Sequence, residues 1–119
     1  LTGESLPDFD QLGALLFHMA TSETKPLANT VEEVAGCGYL GESAAFHVWL
    51  IYRPELDFLK SRDAALTLSR ARSLAEAKPG KRHLVFAPAK FVSQKLLDEE
   101  KLPVEFAPLP WALYRVERG

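Results

Sequence analysis

The densest apolar stretch of the chain runs from Phe46 to Tyr52 and does not alternate with polar residues. Large apolar side chains occupy its even positions, such as Val48 and Leu50, and also its odd positions, such as Trp49. Because successive side chains of a strand point to opposite faces of a sheet, this pattern predicts a strand covered on both faces. We therefore expect the central strand of a sheet with helices above and below it.

Helical spacing of apolar residues recurs in three segments. The first, over residues 1–22, begins with a capping box at Asp8 and Gln11. The second begins at a cap supplied by Asp63 or Thr67, and the third runs through Lys90–Lys101. The predicted buried stripes are Leu12, Leu15, Leu16 and Met19; then Leu68, Ala71, Leu74 and Ala75, with Arg70 and Arg72 outside; and finally Phe91, Val92, Leu96 and Leu97.

Two further apolar blocks, residues 84–87 and 103–107, predict short strands, and the alternating block 112–117 predicts an edge strand wetted on one face. Strands separated by helices of this length form βαβ units with parallel strands and right-handed crossovers. The sequence thus predicts a three-layer α/β fold. Its mostly parallel sheet of about four to five strands is flanked by helices and carries one antiparallel edge or hairpin strand.

Three glycines within six residues, Gly36, Gly38 and Gly41, precede the central strand. They predict a strand that bends or bulges, or a hairpin that leads into the central strand. A glycine-rich loop can also bind phosphate when it joins a strand to a following helix. Because a strand follows here, the turn is the favoured interpretation.

Size and composition indicate a single domain over residues 1–119. Apolar residues make up 47% of the chain and charged residues 25%, which is ordinary for a folded domain and argues against disorder. The net charge of −2 gives no global attraction to nucleic acid, and the apolar runs are too short to span a membrane. The single Cys37 cannot form an internal disulfide, which is consistent with the cytoplasm. Since the chain begins at Leu1, we expect a piece of a longer protein.

Charged side chains follow the predicted parallel strands. Arg53 and Glu55 come directly after the central strand, and Lys90 comes after the strand over 84–87. Ligands of open α/β sheets bind beyond the carboxyl ends of the strands, so these three residues are candidates for binding a nucleotide or phosphate. An ordinary solvated strand exit is the favoured alternative, because nothing in the sequence fixes their geometry.

A basic cluster, consisting of Lys78, Lys81 and Arg82, lies between the second helix and the next strand. It is a candidate for weak, sequence-independent contact with DNA phosphates. A cluster of this size supplies few phosphate contacts, and we favour a soluble turn.

No catalytic residue or metal ligand is predicted from residue spacing. His18, His47 and His83 are not separated by three or four residues from one another or from Cys37, so no helical metal pair exists. His47, inside the covered strand, fits a hydrogen-bonded core or interface histidine better than a ligand. Cys37 has no neighbouring base in sequence and fits a small buried residue better than a nucleophile.

Several sequence segments of the chain resemble a known family. They are VWLIYRPELDFL at residues 48–59, ALTL at 65–68, LVFAPAKF at 84–91 and FAPLPWALY at 106–114. The set is similar to the carboxyl-terminal region of adenine-specific DNA methyltransferases of the type III restriction-modification kind. The similarity extends from about Asp8 to the end of the chain.

The chain departs from these enzymes at their catalytic motifs. Such methyltransferases carry a Phe-x-Gly-x-Gly loop for S-adenosylmethionine and an Asp/Asn-Pro-Pro-Tyr/Phe loop for the flipped adenine, and neither occurs here. No catalytic residue is therefore carried over, and we expect no cofactor in this chain, with S-adenosylmethionine belonging to a parent protein.

The resemblance implies a non-catalytic accessory or interaction domain. Its expected partners are the methyltransferase core, in the same chain or another subunit, and duplex DNA through the parent protein, without a membrane. Aromatic residues suit such an interface, or fill the domain's own core. They are Trp49, Phe106, Trp111 and Tyr114. The alternatives are a small nucleotide- or phosphate-binding module and a weak DNA-positioning domain.

Overall fold

The computed structural model describes residues 8–23 and 32–109, which contain four α-helices and seven strands. The helices are α1 (Phe9–Thr21), α2 (Leu56–Leu59), α3 (Leu68–Ala77) and α4 (Gln94–Glu99), with a 3-10 turn at Arg62–Ala64. The strands are β1 (Glu33–Val34), β2 (Cys37–Glu42), β3 (Phe46–Leu50), β4 (Ala65–Leu66), β5 (Arg82–Ala87), β6 (Ala89–Lys90) and β7 (Val104–Pro108). The predicted edge strand over 112–117 lies outside the described residues.

Five strands form one mixed sheet in the order β1-β2-β3-β5-β7. The pairs β1–β2 and β2–β3 are antiparallel, whereas β3–β5 and β5–β7 are parallel. A separate two-stranded sheet pairs β4 with β6 in parallel. The predicted α/β fold, with parallel strands at its core and a hairpin at one edge, is confirmed.

Strand β3 lies at the centre of this sheet and is buried on both faces. Val48 and Trp49, which point to opposite faces, are both fully buried. One face packs on α1 through a cluster that contains Leu12, Leu16, Phe17, Leu40, Val48, Leu50, Tyr52 and Phe86. The other face packs on α3 and α4 through a cluster that contains Trp49, Ile51, Leu66, Ala71, Leu74, Val85, Leu97 and Val104. The prediction of helices above and below this strand is therefore confirmed.

Helix α1 begins with the predicted capping box, because Asp8 accepts from the Gln11 backbone and the Gln11 side chain accepts from the Asp8 backbone. Its buried face differs from the predicted stripe. Phe17 is fully buried, whereas Leu15 and Met19 are 47% and 59% exposed. The buried face combines two rows of residues four apart, one through Leu12 and one through Phe17, and this rotates Leu15 and Met19 toward solvent.

The glycine-rich segment forms a hairpin and a bulge, and both predicted alternatives are correct. Ala35 and Gly36, with φ of 53° and 82°, make the turn between β1 and β2. Positive φ at both central residues is the geometry of a tight hairpin turn, which glycine adopts at little cost. The register of β2 against β3 then shifts between Tyr39 and Gly41.

The predicted third helix through Lys90–Lys101 is wrong at its start. Residues 89–90 form β6, and the Phe91 amide donates to the Leu66 carbonyl at 2.9 Å, so the backbone there is extended. Helix α4 begins only after Ser93, whose hydroxyl accepts from the Leu96 amide as an N-cap. At α3 the cap is Thr67 rather than Asp63.

Candidate functional site

A cavity of about 590 Å³ opens at the carboxyl end of β3. It lies between the start of α1, the β1–β2 hairpin, α2 and the first turn of α3. Its lining consists of Asp8, Phe9, Asp10, Glu33, Gly36, Gly38, Leu50, Tyr52, Arg53, Phe58, Asp63 and Arg70. The cavity lies beyond the carboxyl end of a parallel strand, which is where open α/β sheets bind ligands, and beside the place where the sheet passes from antiparallel to parallel pairing.

Arg70 joins three backbone segments on one side of the cavity. Its Nε donates to the Ala35 carbonyl at 3.0 Å, and its Nη1 donates to the carbonyls of Asp63 and Ala65 at 2.7 and 2.6 Å. One guanidinium therefore joins the hairpin turn, the 3-10 turn and β4. Because all three acceptors are neutral, the positive charge of Arg70 is held in place without being cancelled.

Arg53 brings a second cation to the cavity. Its guanidinium carbon lies 5.2 Å from the centre of the Phe58 ring, a cation–π contact, and its side chain is exposed. Within the described part of the chain, no carboxylate lies at ion-pair distance from Arg53 or Arg70. Two uncompensated guanidinium groups therefore line one cavity.

Four carboxylates also line the cavity and outnumber its two guanidinium groups. The Asp8 carboxylate accepts from the neutral Gln11 amide in the cap of α1 and keeps its charge, and Arg70 binds the backbone carbonyl of Asp63, not its carboxylate. Asp10 and Glu33 are exposed. The cavity lining is thus of mixed charge, with two guanidinium groups and four carboxylates.

The predicted ligand residues are only partly brought together. Arg53 lines the cavity, whereas Glu55 and Lys90 are not among its lining residues. The exposed Glu55 donates its amide to the Arg53 carbonyl at 2.8 Å. Lys90, in β6, places its ammonium 5.4 Å from the Phe106 ring centre. A binding role for this trio stays a prediction.

Each member of the basic cluster is paired with a carboxylate. The Lys78 ammonium lies 3.2 Å from Glu32, and the Lys81 ammonium lies 2.6 Å from Glu42. Arg82 forms an ion pair with Glu105 of β7. The three cations therefore offer little net charge to a phosphate backbone, which weighs against the DNA-positioning alternative.

A largely buried polar network joins β2, β3 and β5 on the sheet face that carries Trp49. The Trp49 indole donates to His83 Nδ1 at 3.0 Å, and the Tyr39 hydroxyl lies 2.8 Å from His47 Nδ1. The His47 and His83 rings are neighbours across β3 and β5, with centres 5.4 Å apart. An indole N–H can only donate, so neutral His83 carries its proton on Nε2, which is buried without a hydrogen-bond partner of good geometry among the described residues.

Burial lowers the pKa of both histidines below its ordinary value. For His83 the charge of His47 adds to this effect, and an interaction with the Lys78 backbone opposes it. For His47 the carboxylate of Glu42 opposes the lowering. Both rings are therefore held toward the neutral form, and the expectation of a hydrogen-bonded core histidine at position 47 is confirmed.

Cys37 is fully buried in the core of the α3 face. Burial raises the pKa of its thiol to about 11, so the thiol stays protonated at neutral pH. This agrees with the prediction of a small core residue in place of a nucleophile. Within residues 8–23 and 32–109 there is also no group of three His, Cys, Asp or Glu side chains that could hold a metal ion.

Comparison with protein families, with curated proteins and with solved structures gives no match to this chain. No helix in the described part of the chain is long and apolar enough to cross a membrane.

Sequence reasoning missed Arg70, which was expected on the solvent face of α3. It is half-buried and binds one carbonyl of the hairpin turn, at Ala35, and two carbonyls that precede its helix, at Asp63 and Ala65. The one local signal is its position three residues after the cap Thr67, where a side chain leans toward the start of the helix. Its partners come from segments that are distant in sequence.

Proposed function

We propose that this chain is a non-catalytic accessory domain of an adenine-specific DNA methyltransferase of a restriction-modification system. It acts in the cytoplasm by docking on the methyltransferase core, while the parent protein binds S-adenosylmethionine and DNA. The observation that carries the proposal is that the sequence segments which resemble the family lie in neighbouring elements of one fold. Residues 48–59, 65–68 and 84–91 form β3, α2, β4, β5 and β6, which are neighbours in the fold.

The four aromatic residues predicted for the interface are not equally available to a partner. Trp49 is fully buried and belongs to the core of this domain, so it is not available to a partner. Phe106 is half-buried beneath the Lys90 ammonium, and Trp111 and Tyr114 lie outside the described residues. The exposed large apolar side chains among the described residues are Leu15, Met19 and Phe91.

The proposal is tested by mixing the chain with a type III adenine methyltransferase core that lacks this region. We expect a complex in size-exclusion chromatography, together with no S-adenosylmethionine binding and no methyl transfer by the chain alone. Serine at each of Leu15, Met19 and Phe91 tests which exposed apolar residue contributes. Lys95→Ser, on the exposed side of α4, is the matched control. Absence of a complex, or turnover by the chain alone, would contradict the proposal.

A further inference from the structure

We propose that the cavity at the carboxyl end of β3 binds a small phosphate-bearing ligand with a flat ring, of the chemical class of a nucleoside monophosphate. This inference is independent of the docking role proposed above. It assigns a use to Arg53 and Arg70, which the docking role leaves unexplained.

The cationic wall supplies the phosphate-binding part of the argument. Arg70 is fixed by three neutral carbonyls and pays little further ordering cost when an anion arrives. Arg53 is exposed and makes a cation–π contact with Phe58, and no carboxylate among the described residues pairs with it, so its donors remain accessible. Other described cations, such as Lys81 and Arg82, are already paired with carboxylates.

The rest of the lining fits the remainder of a nucleotide. The half-buried Phe9 and Phe58 contribute aromatic surface, on which a base can stack, whereas Tyr52 lines the cavity but is only 7% exposed. Asp10 and Glu33 contribute exposed carboxylates, which accept hydrogen bonds from ribose hydroxyls. A simple dianion would meet these carboxylates unfavourably, whereas a ligand with both a phosphate and hydroxyl donors satisfies both parts of the cavity.

The dimensions of the cavity agree with this class of ligand. Its volume of about 590 Å³ lies within the range of small-molecule sites, roughly 300–1,000 Å³. The glycines Gly36 and Gly38 line the hairpin side of the cavity and add no side chain there. At Gly36 a Cβ would lie 3.1 Å from Arg70 Nη2, so a larger residue would crowd the guanidinium.

The test measures the melting temperature and the heat of binding of the full 119-residue chain with three probes: adenosine monophosphate, adenosine and inorganic phosphate. We expect the monophosphate to raise the melting temperature and to bind more tightly than either fragment. Arg53→Gln should weaken that binding about ten-fold or more, since it removes a charge-assisted contact. The matched control is Arg62→Gln, because Arg62 also lies over a phenylalanine ring, at 6.0 Å from Phe91, but does not line the cavity.

Each outcome of this test either supports or overturns the proposed binding of a nucleoside monophosphate. Tighter binding of the monophosphate than of its fragments, weakened by the change at Arg53 and unaffected by the change at Arg62, supports the proposal. No shift with any probe at millimolar concentration overturns it. Equal binding of phosphate and the monophosphate, or equal loss in both variants, also overturns it, because the ring or the cavity would then play no part. Circular dichroism of both variants shows that they are folded.

Discussion

Mild acid should destabilise the folded chain, because the two buried histidines of the β3–β5 pair resist protonation. Burial lowers the pKa of His47 and His83 in the folded state, whereas the unfolded chain has a histidine pKa of 6.5. Below that pH the unfolded state binds more protons than the folded state, so the free energy of unfolding falls as the pH falls. Above it both states are neutral at these positions, and the effect vanishes.

The size of the effect has an upper limit set by proton linkage. A histidine that remains neutral in the folded state and titrates normally when unfolded costs up to about 1.4 kcal/mol between pH 7.5 and 5.5. We expect His83, which is fully buried, to approach this limit. We expect His47 to contribute less, because Glu42 opposes its shift. The combined loss, at most about 2.7 kcal/mol, is a large fraction of the stability of a small domain.

The measurement is urea unfolding followed by far-ultraviolet circular dichroism at several pH values between 7.5 and 5.5. His83→Gln and His47→Gln should each reduce the dependence of the unfolding free energy on pH, whatever they do to its absolute value. His18→Gln is the matched control, since His18 is exposed on α1. The lowered pKa of Glu42 does not interfere, because carboxylate titration at or below 4.5 lies outside this pH window.

Two results would refute the reasoning. One is an unfolding free energy that stays constant from pH 7.5 to 5.5 in the unmodified chain. The other is a pH dependence that survives unchanged in a chain that lacks both His47 and His83. Either result would mean that the folded interior accepts these protons as readily as water does.

Three further predictions concern single contacts. Trp49→Phe should lower the free energy of unfolding by about 1–3 kcal/mol in urea titrations, because it leaves the buried His83 Nδ1 without its donor; no loss would show that the bond is dispensable. Thr67→Ala should cost about 1 kcal/mol by removing the N-cap of α3, and a loss within error would contradict that role. Alanine at Lys78, Lys81 and Arg82 together should leave any affinity for duplex DNA unchanged in fluorescence anisotropy across salt concentrations, whereas a marked drop would revive the DNA-positioning alternative.

The parts of the fold that the sequence predicts correctly are those set by local pattern. The block at β3 carries large apolar side chains at both even and odd positions and so predicts burial on both faces, and the polar acceptors at Asp8 and Thr67 mark real helix starts. The start of α4 is missed because residues 89–90 pair with residues 65–66, and such a two-residue bridge leaves no periodicity to detect.

In the candidate site too, the residue placed by local sequence is predicted and the residue placed by distant contacts is missed. Arg53 is predicted because its position depends only on following a parallel strand, and it does line the cavity. Arg70 is missed because its three acceptors lie in the hairpin, the 3-10 turn and β4. A lone arginine on a helix gives no sign of carbonyls that approach it from segments distant in sequence, so only the assembled fold identifies the wall of the cavity.

The buried histidine network and the cavity are connected through the register of β3 against β5. Both strands are apolar on both faces, so hydrophobic burial alone discriminates poorly between registers. The bond from Trp49 to His83 is the buried side-chain pair that joins these strands in the described part of the chain. A shift of one residue would turn His83 to the other face, and a shift of two would separate it from the indole. The Trp49–His83 bond thus favours the observed register of β3 against β5, and in that register Arg53, which follows β3, lines the cavity.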